Sequence, residues 1–405
     1  MYNENFFRVG DNMAMVLHLV ADGVERCTDR ANFLFLPAQE VTKVRIPLAK
    51  IGPAMERYRD CNVYLNVEFV TKETEGIVPA GTVLSRGQLH LHPAAATERR
   101  AAKPDGDVAG AMVVTVDSTA GTYVLRAGDM KVCISHSSGL IEGLTSRGRK
   151  MLQEGFAVMP SFWRAPTDND YGAGLQKKSW AWRSPSYAVL YMNLSNAKDG
   201  SVCVSTGLKI EGIDAVLRIA YNVSACGEIE VTEHLDVDEK AADRPQPMRF
   251  GMQWVMPAGF DRLRYEGRGP AENYVDRKAS QQMGVYTAAV SDQYYNYVRP
   301  QESGNHCDVV WWQLTDADGR GLSFACQDSM ECSSLNFLPA DLDDGVDKNL
   351  HQSHSGDLTP RPYTVTQICQ TQMGLGCVDS WGAWPRRQYQ MLWRDRTFRY
   401  TVKAI

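Results

Sequence analysis

The chain has 405 residues, 44% of them hydrophobic and 22% charged, which is the balance of a soluble globular protein and too much chain for one ordinary core, so two domains are expected. Its formal charge of −5 comes without any block of Lys and Arg, which excludes the electrostatic footprint of a nucleic-acid binder. No run approaches the ~20 apolar residues that a membrane helix needs, so no membrane contact is expected.

From the amino end, Met1 through Phe7 show no basic region followed by an apolar core, and no secretory signal is expected. Asp22-Gly23 is a turn signal, glycine supplying the backbone angles that a tight turn requires. In Asn62 through Phe69, Val63, Leu65, Val67 and Phe69 share one face while Asn62, Asn66 and Glu68 share the other, the period-two pattern of a half-buried strand. His90 and His92 alternate on the polar face of a further strand, without the partners of a metal site. Pro93 through Asp107 is polar, rich in small residues and flanked by prolines, and reads as a linker. Residues 1–93 then make a domain of immunoglobulin-like size, 94–107 the linker, and 108–405 one unusually large sandwich.

Ser138-Gly139 and Asp318-Gly319 are further turn signals. Leu217, Ile219, Tyr221 and Val223, a turn at Ala225-Cys226-Gly227, and then Ile229 and Val231 read as a hairpin. Glu233 breaks this pattern because it shares parity with Ile229, Val231, Leu235 and Val237. Either it is buried with a partner or a bulge shifts the register. Asp341 through Lys348 has spaced carboxylates but lacks the ordered ligands and closing Glu of a calcium loop, so a solvated loop is expected. Long helical periodicity is absent, and many short strands punctuated by Gly and Asp argue for an all-β chain of antiparallel sandwiches. The ten cysteines include no Cys-x-x-Cys pair, so buried free thiols in a reducing, cytoplasmic compartment are expected. A periplasmic location stays open, because a longer parent could carry a leader upstream of Met1.

Four stretches occur in order: Phe162-Trp163-Arg164-Ala165-Pro166-Thr167-Asp168-Asn169-Asp170, Tyr265 through Arg277 (with Gly267-Arg268-Gly269-Pro270), Pro300-Gln301-Glu302-Ser303-Gly304-Asn305-His306, and Gln372 through Trp381. By them the chain resembles the C-terminal part of the large bacterial β-galactosidases of glycoside hydrolase family 2. The stretch from Asn5 to Gly23 is similar to the start of the domain that follows the catalytic barrel there, so the resemblance covers essentially the whole chain. It implies an immunoglobulin-like β-sandwich followed by a large galactose-mutarotase-like antiparallel β-sandwich. It also implies a homo-oligomeric parent that hydrolyses terminal β-galactosides with retention, through two glutamates and with Mg and Na ions held mainly by the barrel. Retaining hydrolysis needs two carboxyls about 5 to 5.5 Å apart. Nothing here shows the βα alternation of a barrel, so no catalytic residue, metal or cofactor is expected in this chain, which would contribute one wall of the site for galactose or a β-galactoside.

The resemblance assigns that wall to particular residues. Trp381 matches a tryptophan projected into the active site, where an indole face stacks on the C–H side of a sugar. The family usually has Gly-Asp where this chain has Cys377-Val378. Gly172 matches the start of a mobile loop, and Arg164, Asp168, Asn169 and Asp170 form a polar cluster before it that either pins the loop base or meets substrate. Glu272, Asn273, Asp276 and Arg277 are expected to scaffold a loop. Glu302 and His306 are the residue types of an acid–base pair that could open and close a sugar ring. Two rival readings follow, a free-standing carbohydrate-binding module using Trp381 and Trp384, and an aldose epimerase, the latter by fold analogy alone.

Overall fold

A computed structural model describes residues 1–32, 35–47, 49–92, 115–119, 121–197, 200–241, 244–351, 353–376, 378–379 and 382–405. The expected linker 94–107 and Trp381 therefore lie outside the described residues. The chain divides into two compact units, Met1–Lys103 with Ala279–Tyr286, and Pro104–Lys278 with Thr287–Ile405.

In the first unit, β1 (Met13–Ala21), β2 (Val24–Ala31), β3 (Val63–Thr71) and β4 (Val83–His92) form an antiparallel sheet in the order β2-β1-β3-β4. Asp22 and Gly23 join β1 to β2 with φ of 48° and 73°, the paired positive angles that suit the twist of a hairpin. The alternation in β3 buries Val63, Leu65 and Val67 against Met15, Leu17 and Leu19 of β1 and Ile51 of α1 (Ile51–Arg57).

The second unit opens with a five-stranded sheet, β5 (Thr115–Thr119), β6 (Thr122–Ala127), β7 (Met130–Ser135), β8 (Ile141–Ser146) and β9 (Arg149–Lys150), paired in sequence order. A larger antiparallel sheet follows. It comprises β10 (Met159–Ser161), β11 (Tyr187–Asn196), β12 (Val202–Ile210), β13 (Ala215–Val223), β14 (Ile229–Val237), β15 (Arg249–Met256), β16 (Arg262–Gly269), β18 (His306–Thr315), β19 (Gly321–Leu335), β20 (Thr364–Gln372) and β21 (Arg396–Ala404), while β17 (Gln282–Ala289) begins among the residues of the first unit. Its main path runs β10-β15-β20-β19-β21-β14-β13-β12-β11, with β18 on β19 and β16 on β18. Trp254, Trp312, Phe324, Tyr221 and Tyr400 are fully buried, and Trp254 meets Phe324 edge-on at 5.3 Å. Helices are short: α2 (Asp168–Ala173), α3 (Leu175–Lys178) and α4 (Lys348–His351). The all-β, antiparallel class read from the sequence is the one observed.

The hairpin of β13 and β14 is in register from Val223↔Ile229 to Ala215↔Val237, with Gly227 at φ 83° in its turn. Glu233 satisfies neither alternative that its parity raised. It stays in register opposite Ile219 and Phe398, without a bulge. It is fully buried, and neither carboxyl oxygen has a hydrogen-bond partner. Desolvation raises its pKa well above the ordinary 4.5, so the side chain is a neutral acid in an apolar layer.

The stretch around Asp343 also differs from the solvated loop expected. Asp343 accepts Trp163 Nε1 at 2.9 Å and Arg183 Nε at 2.7 Å, and Asp344, 8% exposed, pairs with Arg299. Here the carboxylates pin distant side chains, which spacing along the chain could not reveal.

Candidate functional site

The site begins with Arg164, fully buried just ahead of α2. Thr167 caps this helix: its Oγ1 accepts Asp170 N at 3.1 Å while Asp170 Oδ2 accepts Thr167 N at 2.9 Å, a reciprocal capping box. The same Asp170 carboxylate takes Arg164 Nε at 3.0 Å and Nη2 at 2.8 Å, a bidentate pair with both side chains fully buried. The remaining guanidinium hydrogens are donated to Gln372 Oε1 at 3.4 Å, to Met373 O, and to Gly374 O at 3.0 Å. Burial opposes the charge on Arg164, but Asp170 outweighs it and the pKa ends above its usual value. Thus Arg164 and Asp170 tie the start of α2 to the end of β20 and the segment after it, and both are fully buried.

That segment is held again from Asp276. Its Oδ1 accepts Leu375 N and its Oδ2 accepts Gly376 N, each at 2.9 Å. A Cβ on Gly374 would stand 2.6 Å from Asp276 Oδ2, so glycine is required for this approach. Past the undescribed Trp381, the chain closes onto α2: a Cβ on Gly382 (φ +78°) would lie 2.2 Å from Gly172 O, and one on Gly172 would lie 3.3 Å from Gly382 Cα. Trp384 Nε1 then donates to Ala173 O at 3.2 Å, and Lys178 Nζ sits 4.5 Å from the Trp384 ring centroid. Gly172 therefore lies inside a short helix that Gly382 and Trp384 approach.

A third set of bonds joins the two middle stretches. Glu272 accepts Arg277 Nη2 at 2.7 Å, Gly304 N at 2.7 Å and the Tyr297 hydroxyl. Desolvation, then the Glu272 bond, pushes the Tyr297 pKa up to about 12, so its hydroxyl remains a donor. Asn273 Oδ1 accepts Cys307 N at 2.9 Å, Asn305 Nδ2 donates to Asn273 O at 2.9 Å and to Glu331 Oε2 at 3.0 Å, and Glu331 Oε1 accepts Thr371 Oγ1 at 2.7 Å. All four family-like stretches thus meet in one network.

Over this network opens a cleft of about 310 Å³ lined by Thr167, Asp168, Asn169, Tyr274, Arg277, Tyr297, Gln301, Glu302 and Leu375. Asp168 is half exposed and takes Lys348 Nζ at 3.3 Å, while its backbone N–H donates to Gln301 Oε1 at 3.1 Å. Asn169 is partly exposed at the rim. Glu302 is 6% exposed and lies 2.6 Å from Arg249 Nη2. His306, 1% exposed, contacts the Tyr265 hydroxyl at 3.0 Å, Arg268 O at 2.9 Å and Gln293 Oε1 at 2.9 Å. Desolvation lowers its pKa to about 4. Glu302 and His306 are therefore engaged with separate partners, and only Glu302 lines the cleft. Among the described residues no group of three or more His, Cys, Asp or Glu side chains could hold a metal ion. An array of amides, phenols and one guanidinium beside a fixed carboxylate is suited to gripping hydroxyl groups more than to moving protons.

Sequence reasoning named Asp168, Asn169 and Glu302 of this lining as site residues but assigned no ligand role to Tyr274, Arg277, Tyr297, Gln301 or Leu375. The run Tyr294-Tyr295-Asn296-Tyr297, just before the third stretch, was the available signal.

Residues 126–403 match the family described as Beta galactosidase small chain, and residues 1–92 match that described as Beta-galactosidase, domain 4. A β-galactosidase of Priestia megaterium is 29% identical over 294 residues, which is 72% of this chain and 27% of that protein. A β-galactosidase of Lactobacillus delbrueckii subsp. bulgaricus is 33% identical over 263 residues, 64% of this chain and 24% of that one. The matched stretches thus span only about a quarter of these relatives' length. Among solved structures, a galactose mutarotase related enzyme of Lactobacillus acidophilus aligns with a TM-score of 0.39 and 10% identity over 70% of this chain and 97% of that chain, too low a likeness to assign a reaction.

Proposed function

The chain belongs to the β-galactosidase small-chain family, and from that premise we propose that it is the non-catalytic C-terminal portion of a β-galactosidase, closing one side of the sugar site. The observation that supports this best is the double anchoring of the segment that carries Trp381, by Asp276 and Arg164 before it and by the Gly172–Gly382 contact after it. Described backbone held in place on either side of Trp381, at Gly374–Gly376 and at Gly382, is what a substrate wall requires. In this reading Asp168, Asn169 and Trp381 meet the sugar. Both reacting carboxyls, and the Mg and Na ions, belong to the barrel of the parent, a cytoplasmic homo-oligomer acting on terminal β-galactosides.

The purified chain should release no nitrophenol from a nitrophenyl β-galactoside. Turnover that survives removal of contaminating host enzyme would overturn the reading. Binding at this wall alone should also be weak: one aromatic contact contributes about 1 to 3 kcal/mol, whereas a Kd of even ~1 mM requires about 4 kcal/mol. In the whole enzyme, Asp276→Ala should lower kcat/KM by freeing Leu375 and Gly376. An unchanged kcat/KM would remove the role given to that anchor.

A further inference from the structure

A second cavity, of about 340 Å³, lies between β10, β15, the turn into β11 and the 338–343 stretch. It shares no lining residue with the cleft described above. We infer that it is a separate binding site for a neutral pyranose, built from Trp163, Tyr187, Ser161 and Gln253, with the buried Trp182 behind them. The inference goes beyond the wall reading and does not depend on it.

The walls are apolar and aromatic, and they are set in place before any ligand arrives. Trp163 is fixed by donating Nε1 to Asp343 Oδ2 at 2.9 Å, and Arg183 Nε reaches the same oxygen at 2.7 Å. Trp182 is fully buried, donates Nε1 to Pro245 O at 2.7 Å and packs on Phe162 at 4.8 Å between ring centroids. Trp182 backs the wall from behind, and Trp163, fixed by its bond to Asp343, offers its edge to a sugar without losing rotamer freedom on binding.

The polar groups that remain free select the ligand. Gln253 accepts Gln367 Nε2 on its carbonyl at 2.9 Å. Among the described residues nothing takes its own amide hydrogens, the Ser161 hydroxyl or the Tyr187 hydroxyl, and all three residues line the cavity. Amide donors with two hydroxyls that can each donate and accept suit a ligand carrying hydroxyls around its edge. The charged lining residues are Arg183 and Asp343, and they pair with each other. A phosphate or carboxylate would therefore find no uncommitted cation, and an ammonium no uncommitted anion. A volume near 340 Å³ stands at the lower end of the roughly 300 to 1,000 Å³ usual for small-molecule pockets, which favours one ring over an oligosaccharide.

The test uses the whole chain with galactose and glucose as separate probes, read by ligand-observed NMR and by the fluorescence of the pocket tryptophans. Saturable binding of at least one of them is expected, weakened about threefold to tenfold by Tyr187→Phe, which removes one hydrogen bond and little volume. Gln253→Leu should weaken it similarly, with thermal melting of both variants reporting that the sandwich remains folded. Absence of saturation by both sugars would overturn the inference. So would saturable binding that both substitutions leave unchanged, or binding that is lost on Asp168→Asn and unaffected by Tyr187→Phe, which would place the sugar in the other cleft.

Discussion

Glu233→Gln should stabilise the large unit, and by an amount that grows with pH. In the unfolded chain this carboxyl titrates near 4.5, whereas in the fold, buried and without a partner, it holds its proton well above that value. Between those limits the native state binds one more proton than the unfolded state, so stability falls as pH rises, by about 1.4 kcal/mol per pH unit. Glutamine matches the shape of the neutral acid and cannot ionise in the unfolded state, so the variant lacks this slope. The gap between variant and wild type should be near zero at pH 4 and widen by about 1.4 kcal/mol for each unit above 4.5, as long as the native group stays protonated. Denaturant unfolding of both proteins at pH 5 and pH 7 measures it. A gap equal at the two pH values would mean that Glu233 ionises in the fold, through a partner or water that the burial argument excludes. Comparison with wild type matters because His306 contributes the opposite slope. Its pKa near 4 lies below the usual 6.5, so its contribution is complete above 6.5 and is lost as pH falls toward 4. The two slopes offset each other between about pH 4.5 and 6.5, and the wild type alone would show neither.

Arg164→Ala should cost about 3 to 5 kcal/mol, because it strands the buried Asp170 carboxylate, and thermal melting should show the loss. Arg164→Lys should recover little of it, since an ammonium cannot make the bidentate pair and also reach Gly374 O. Asp276→Ala should leave the melting temperature nearly unchanged and speed amide exchange at Leu375 and Gly376 about tenfold or more, since each loses a charge-assisted bond. The His306 ring should show no titration by NMR above about pH 5, in keeping with its pKa near 4.

What could be read from the sequence was local or repeated. The β13–β14 hairpin and the buried face of β3 follow from alternation over a few residues, which needs no knowledge of distant chain. The closeness of Arg164 to the carboxylates of Asp168 and Asp170 was legible for the same reason, but which of them it pairs with, and the helix cap that settles it, was not. Its other partners lie more than 200 residues away, and no local pattern points to them. Spacing likewise could not show that Asp276 holds Leu375 and Gly376, that Asp343 orients Trp163, or that Tyr297 reaches Glu272. Glu233 shows the limit most clearly. Alternation correctly placed it on the inner face, and the rule that buried charges are paired then pointed to a partner or a bulge. A carboxyl that stays protonated avoids the cost of a buried charge and bears only the smaller one of an unpaired neutral group, and protonation is set by the whole layer around it.

The family-like stretches carry a further lesson in their division of labour. Most of their polar side chains, Arg164, Asp170, Glu272, Asn273, Asp276 and Asn305, are engaged by other side chains or backbone, and the cleft is left with Asp168, Asn169, Arg277, Glu302 and a few phenols and amides. Burying so many hydrogen-bonded groups gives little net stability, since each bond made replaces one to water. It does make the geometry costly to change, because any displacement leaves a buried donor or acceptor without a partner. A motif built in this way is therefore a device for holding position. The residue most worth positioning is the one that Gly374–Gly376 and Gly382 flank in sequence, the Trp381 that the resemblance sets against the sugar.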